Sequence, residues 1–203
     1  MSVRILCIAL GVFALSACGS SPPIPDDNYY RLTERPPFDR GPQVLAERLA
    51  VAPVRSAGVR RGRAMLYSED PGHVRFKKYH YHHWDEAPSV LFQRRLVDSL
   101  QDSGIATSVT EKSDAQARYR LHTQVLRFDR LVSPDGADVI VEIEARLVPS
   151  DAPLNPVLDN RYTRQEVAGS QSMEATVVAF SRAVDAVIED LVNDLRQADV
   201  DSL

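Results

Sequence analysis

Two long alternating runs near the middle of the chain constrain its fold more than any other feature. "ARYRLHTQVLRFDRLV" (117–132) and "ADVIVEIEARLV" (137–148) are joined by the turn sequence Ser133-Pro134-Asp135-Gly136, which predicts an antiparallel hairpin. In the second run Val139, Val141, Ile143, Ala145 and Leu147 share one face, and Asp138, Glu142, Glu144 and Arg146 share the other. In the first, Tyr119, Leu121, Thr123 and Val125 share a face, but Leu126 and Phe128 have the opposite parity. A one-residue slip would turn part of that core toward solvent, so the parity change predicts a bulge near Val125 and Leu126. Phe128 then opposes Val141, and Arg127 opposes Glu142.

Two stretches change from a period of two to a helical period. After Asp85, Phe92, Leu96, Val97 and Leu100 form an apolar stripe that Gly104 closes, with Arg94, Arg95, Asp98 and Asp102 expected on the outer side. Asp85 or Glu86 is placed to cap the free amides of the first turn, where Pro88 costs no donor. Met173, Val177, Phe180, Val184, Val187, Leu191 and Leu195 follow by fours and threes, the strongest helix in the chain. Shorter strands are expected in "NYYRLT" (28–33), "RLAVAPV" (48–54), Met65 to Tyr67 against Val74 to Tyr81, and Asn160 to Glu166. Strands, helix, strands, helix in that order predict an α+β fold: a mainly antiparallel sheet with two amphipathic helices packed on one face.

The N-terminus reads as an export signal. Arg4, an apolar run from Ile5 to Leu15, and Leu15-Ser16-Ala17-Cys18 have the layout of a secretory signal, and the run is shorter than the roughly 20 residues that span a bilayer. The expected organisation is 1–17 signal peptide, 18–28 lipidated Cys18 with the flexible linker "GSSPPIPDDN", and 29–200 one periplasmic domain. Leu15 to Cys18 resembles the bacterial lipobox, whose cysteine is capped by thioether lipid and acyl chains such as palmitate. One acyl chain, at about 0.8 kcal/mol per buried methylene, holds a protein only marginally, whereas several on one cysteine make a stable tether. Cys7 and Cys18 are the two cysteines, so the exported part has no thiol for disulfides, thiolate metal sites or nucleophilic catalysis. Lys and Arg number 24 against 28 acids, which does not suggest a broad nucleic-acid surface.

"YHYHHWDEAP" (79–88) holds three of the five histidines and the single tryptophan. On a regular strand His80 and His82 project to one face and His83 to the other, so at most two imidazoles converge and a tetrahedral zinc site is left incomplete. Trp84, Asp85 and Pro88 read instead as a strand-to-helix junction, with the indole at the edge of the core. No G-x-S-x-G elbow and no G-x-x-x-x-G-K-[ST] phosphate loop occurs, so the residue types of an enzyme are not evident and neither metal nor cofactor is expected. Arg118, Arg120, Arg127 and Arg130 against Asp138, Glu142 and Glu144 read equally as a cross-strand charge ladder or as a protein-binding face. His80, His82, Arg127 and Glu142 are the candidates for a partner face.

The lipobox, "YYRL" at Tyr29 to Leu32, "LAVAPV" at Leu49 to Val54 and "HHWDEAP" at His82 to Pro88, followed by the long hairpin and the C-terminal helix, resemble the ABC-type transport auxiliary lipoproteins, a family that includes the lipoprotein of the Pqi system. The resemblance implies a non-catalytic accessory subunit of an MCE intermembrane lipid transport system. Its implied partners are an MCE-domain periplasmic protein with its ABC ATPase and permease, and the membrane through the lipid. Gly19, in place of Asp after the cysteine, is similar to lipoproteins sorted to the outer membrane. The other readings are a lipoprotein that assists outer-membrane barrel assembly, and a periplasmic metal-binding protein using the histidines.

Overall fold

The computed structural model describes residues 25–70, 72, 74–111 and 116–198; the signal segment and Cys18 lie outside them. Among the described residues nine strands and two α-helices are arranged as β1 (Asn28–Tyr30), β2 (Leu45–Val51), β3 (Arg55–Ser56), β4 (Ala64–Ser68), β5 (Lys77–Trp84), α1 (Pro88–Ser103), β6 (Ala106–Thr110), β7 (Tyr119–Ser133), β8 (Gly136–Pro149), β9 (Leu158–Val167) and α2 (Met173–Gln197). The fold is α+β. No helix among the described residues is long and apolar enough to cross a membrane.

The β7–β8 hairpin is the spine. Its fourteen-residue and longer strands pair antiparallel from Tyr119↔Pro149 to Ser133↔Gly136, and β9 adds antiparallel to the far edge of β8. The ladder shifts register between Val125 and Arg127, so Phe128 meets Val141 and Arg127 meets Glu142. The bulge restores Phe128 to the core, where it is buried with Val125 and Leu121. It also brings Arg130, expected on the outer face, to the core side, where it is buried.

The other edge of β7 is shared by three strands that lie parallel to it: β2 beside Leu121, β3 beside Val125 and β4 beside Asp129 to Leu131. The sheet therefore forks, with β6 outside β2 at one end and β5 and β1 outside β4 at the other. The long ladders are antiparallel and the short ones at the fork parallel. The strand after the 69–76 turn begins at Lys77 rather than Val74, and the last strand is Leu158–Val167, longer than Asn160 to Glu166.

Both helices cover the same face. Along α1, Leu91, Phe92, Leu96, Val97 and Leu100 are buried, and Gly104 ends the helix with φ +66°, a left-handed conformation that favours glycine. Neither Asp85 nor Glu86 caps it: the N-cap is Ala87, without a side-chain bond, because Asp85 turns to Arg31 (3.6 Å) and Glu86 to Arg94. Arg95 is not on the outer side either. Its guanidinium lies between the helices, 3.3 Å from Asp185 of α2. Burial pushes the Asp185 carboxyl up, opposed by Arg95 and Arg35. In α2, Ser172 accepts a bond from the Ala175 amide and caps the first turn.

Trp84, Phe128 and Phe180 join the layers. The indole meets Phe128 and Phe180 edge-on at 5.3 and 5.2 Å between ring centres, while the two phenyl rings stack at 4.6 Å. Trp84 is 1% exposed, so it sits inside the core rather than at its edge. A polar strap ties α2 to β9: Arg164 binds Asp190, Arg182 binds Glu166, and the Tyr162 hydroxyl donates to Asp194 at 2.8 Å. Burial, then the Asp194 carboxylate, holds the Tyr162 phenol well above its ordinary range.

Candidate functional site

With the helices on one side, the other side of the β7–β8–β9 sheet carries no helix and is covered only in part, at Asp129. Strand alternation assigns it Arg120, His122, Gln124, Arg127 and Asp129 from β7, Glu142, Glu144 and Arg146 from β8, and Asp159, Arg161 and Thr163 from β9. This is the candidate partner-binding face. Its centre is a charge ladder in which Arg161 reaches Glu142 at 3.3 Å and Glu144 at 3.4 Å, while Arg146 meets Asp159 at 3.2 Å. Exposed pairs of this kind contribute about 0.2–1 kcal/mol each, so they set the charge pattern more than the stability.

Arg127 and Glu142 stand opposite each other, but neither takes the other as its ion partner. Glu142 goes to Arg161, and Arg127 lies 3.5 Å from Asp129. Asp129 is 1% exposed and receives Arg60 as a fork, Nε at 3.2 Å and Nη2 at 2.7 Å. That pair pins the 3₁₀ turn Gly58–Arg61 onto the sheet. The sequence gives no cue to it, since Arg60 lies in a glycine-rich loop that has no period.

Toward the opposite end of the face a cleft of about 340 Å³ is lined by Arg55, His122, Gln124, Glu144, Arg146 and Pro153. Burial, then Arg120, Arg55 and Arg146, lowers the His122 imidazole below its ordinary value, so it resists protonation. Neither Arg55 nor Arg120 has a carboxylate partner among the described residues. Parity alone places His122 beside Arg146, and the hairpin pattern was the signal that could have found this basic corner.

The histidine stretch does not lie on that face. β4 and β5 pair Ala64 with His83 but Leu66 with Lys78, so three extra residues of β5 are accommodated between them and the strict alternation assumed from sequence is broken. Tyr79 and His82 thereby meet ring edge to ring face at 5.4 Å on the helix side, and His80 and Tyr81 are exposed. The Tyr30 hydroxyl hydrogen-bonds His82 Nδ1 at 3.0 Å, and Tyr79 stacks on Tyr67 at 4.2 Å. Burial first, then the Arg130 charge, lowers the His82 imidazole. Arg130 itself binds the Tyr79 hydroxyl and the Gln171 carbonyl. His83 approaches Asp27 at 3.5 Å. His82 thus lies across the sheet from Arg127 and Glu142, and the four candidates do not form one patch. Among the described residues no three His, Cys, Asp or Glu side chains are grouped to hold a metal ion.

The helices back one side of the sheet, and the other side is charged. The chain belongs to the ABC-type transport auxiliary lipoprotein component family, whose model matches residues 30–192. It is thus an accessory lipoprotein component of a transport family of the cell envelope. Its fold is similar to that of XCC0632 from Xanthomonas campestris, 21% identical, with a TM-score of 0.74 over 84% of this chain and 95% of that one. It is also similar to the hypothetical protein CT253 from Chlamydia trachomatis, 8% identical, with a TM-score of 0.54 over 75% of this chain and 97% of that one. A search of curated proteins found no significant match.

Proposed function

We propose that the protein is the lipid-anchored, non-catalytic subunit of an ABC-type intermembrane lipid transporter, and that it docks an MCE-domain component through its helix-free sheet face. Residues 1–17 act as the signal, Cys18 carries the lipid in the outer membrane, and the linker to residue 28 lets the domain of residues 29–200 reach its partner. The observation that carries the reading, beyond the family, is that both helices close one face while the other presents alternating Arg and Glu from three strands. Charge patterns of this kind set the orientation and on-rate of a protein contact more than its raw affinity.

The test is recovery of the lipidated protein from membranes. The expected result is co-purification of an MCE-domain protein, weakened when Arg161 is changed to Glu. Recovery of an outer-membrane barrel instead would overturn the docking assignment in favour of barrel assembly. Stoichiometric zinc that is lost in a His80→Ala/His82→Ala variant would overturn it in favour of metal binding.

A further inference from the structure

Positive charge is concentrated in one part of the chain. Residues 55–84 hold seven Lys or Arg against two acids, while the remainder holds 17 against 26. Three of the seven, Arg75, Lys77 and Lys78, lie on the β4–β5 hairpin, whose tip also exposes Val74 (82%) and Phe76 (40%). Arg60 covers the Phe76 ring at 4.8 Å.

Both acids of the hairpin are occupied in building it. Asp70 Oδ2 accepts from the amides of Val74 (2.9 Å) and Arg75 (3.3 Å), and Glu69 binds Lys77 at 2.6 Å. Neither Arg75 nor Lys78 forms an ion pair within 4.0 Å among the described residues, though the Arg75 charge is felt at the Asp70 carboxyl. The tip therefore offers an apolar point flanked by basic side chains, the residue pattern of a surface that meets anionic headgroups.

The chain direction adds a second, independent observation. β1 runs parallel to β5, with Asn28 beside His82 and its amide donating to the Tyr81 carbonyl, so the backbone ahead of Asn28 heads toward the start of β5 and the hairpin tip. Cys18 precedes Pro25 by seven residues, a contour of at most about 25 Å. An anchor on that tether holds this end of the sheet nearest the bilayer.

We infer that the β4–β5 hairpin is a membrane foot, in which Val74 and Phe76 with Arg75 and Lys78 contact the anionic phospholipid headgroups of the bilayer that holds the anchor. The inference rests on the lipid-anchored reading above. The contact orients the sheet upright, with the β9 start and the 150–157 loop pointing away from the membrane. Each basic side chain strengthens such a contact about fivefold, an effect that salt weakens.

The test uses the mature lipidated protein in phosphatidylcholine vesicles, with and without phosphatidylglycerol. An environment-sensitive fluorophore is placed on Val74→Cys or on Leu154→Cys, which lies 89% exposed at the other end of the sheet. Lipid on Cys18 leaves the introduced thiol as the one labelled. A headgroup-level quencher in the bilayer is expected to quench the Val74 probe in the anionic vesicles, less in neutral vesicles or high salt, and to spare the Leu154 probe. Arg75→Glu/Lys78→Glu should lower quenching at Val74 to the Leu154 level while circular dichroism and flotation are unchanged. Equal signals from both probes on protein that floats would overturn the foot, and quenching indifferent to phosphatidylglycerol would overturn its electrostatic basis. Protein that fails to float overturns the anchored reading, and the foot with it.

Discussion

Changing Trp84 to Ala removes the ring that couples β5, β7 and α2. The indole is 1% exposed and packs edge-on against the stacked Phe128 and Phe180 rings, so the surrounding strands and helix have little freedom to close over the void. Trp→Ala changes in such sites cost about 3–5 kcal/mol, from lost transfer energy and the cavity left behind. We expect a loss of about 4 kcal/mol, a large part of the 5–15 kcal/mol typical of a folded domain. At a urea slope of about 2 kcal/mol per molar, the midpoint falls by about 2 M. Urea unfolding followed by far-UV circular dichroism reads this directly, since the variant lacks the chain's one tryptophan as a fluorescence probe. A double-mutant cycle with Phe180→Ala should return a coupling of about 1 kcal/mol for the edge-on pair. A loss under about 1 kcal/mol, or strict additivity in the cycle, would refute the placement of Trp84 as the tie between layers.

Arg60→Ala leaves the Asp129 carboxylate buried with only Arg127 near it, and should cost about 3 kcal/mol in the same urea assay, with Asp129→Asn milder. Arg161→Glu faces Glu142 and Glu144 with a like charge; it should lower stability by about 1 kcal/mol or less but weaken partner recovery severalfold, as binding measured at two salt concentrations would show. His82 and His122 both have folded pKa values below the ordinary 6.5. The unfolded chain then binds protons more readily than the folded one, so stability falls as pH drops from about 6.5 through the folded values; melting temperatures across that range should flatten in a His82→Gln/His122→Gln variant. A Cys18→Ala variant should lose signal processing and lipid, as seen by mass spectrometry and membrane fractionation.

Much of the fold is legible in local pattern because the spine is local. The parity change between Val125 and Phe128 announces the bulge and hence the Phe128↔Val141 register, and the apolar stripes announce both helices. The fork at β7 is not legible, because three short consecutive strands stack end to end along the edge of a strand far from them in sequence, and nothing in two to seven residues specifies a parallel neighbour. The histidines illustrate the same limit at a site. Their two-residue period is real in sequence, but pairing β5 to a shorter β4 forces out extra residues and carries His82 to the helix side. Arg127 and Glu142 were correctly opposed in register, yet their ion partners come from Asp129 and from β9, which depends on rotamers and a third strand.

Docking through the sheet requires that its helix-free face, and not the helix layer, meets the transporter. A photo-crosslinking residue at Thr163, exposed on the open face, or at Val178, 42% exposed on α2, placed in the full chain in its own envelope, tests this most directly. Crosslinks from Thr163 to an MCE-domain component, with none from Val178, are the predicted result. Crosslinks from Val178 with none from Thr163 would contradict it.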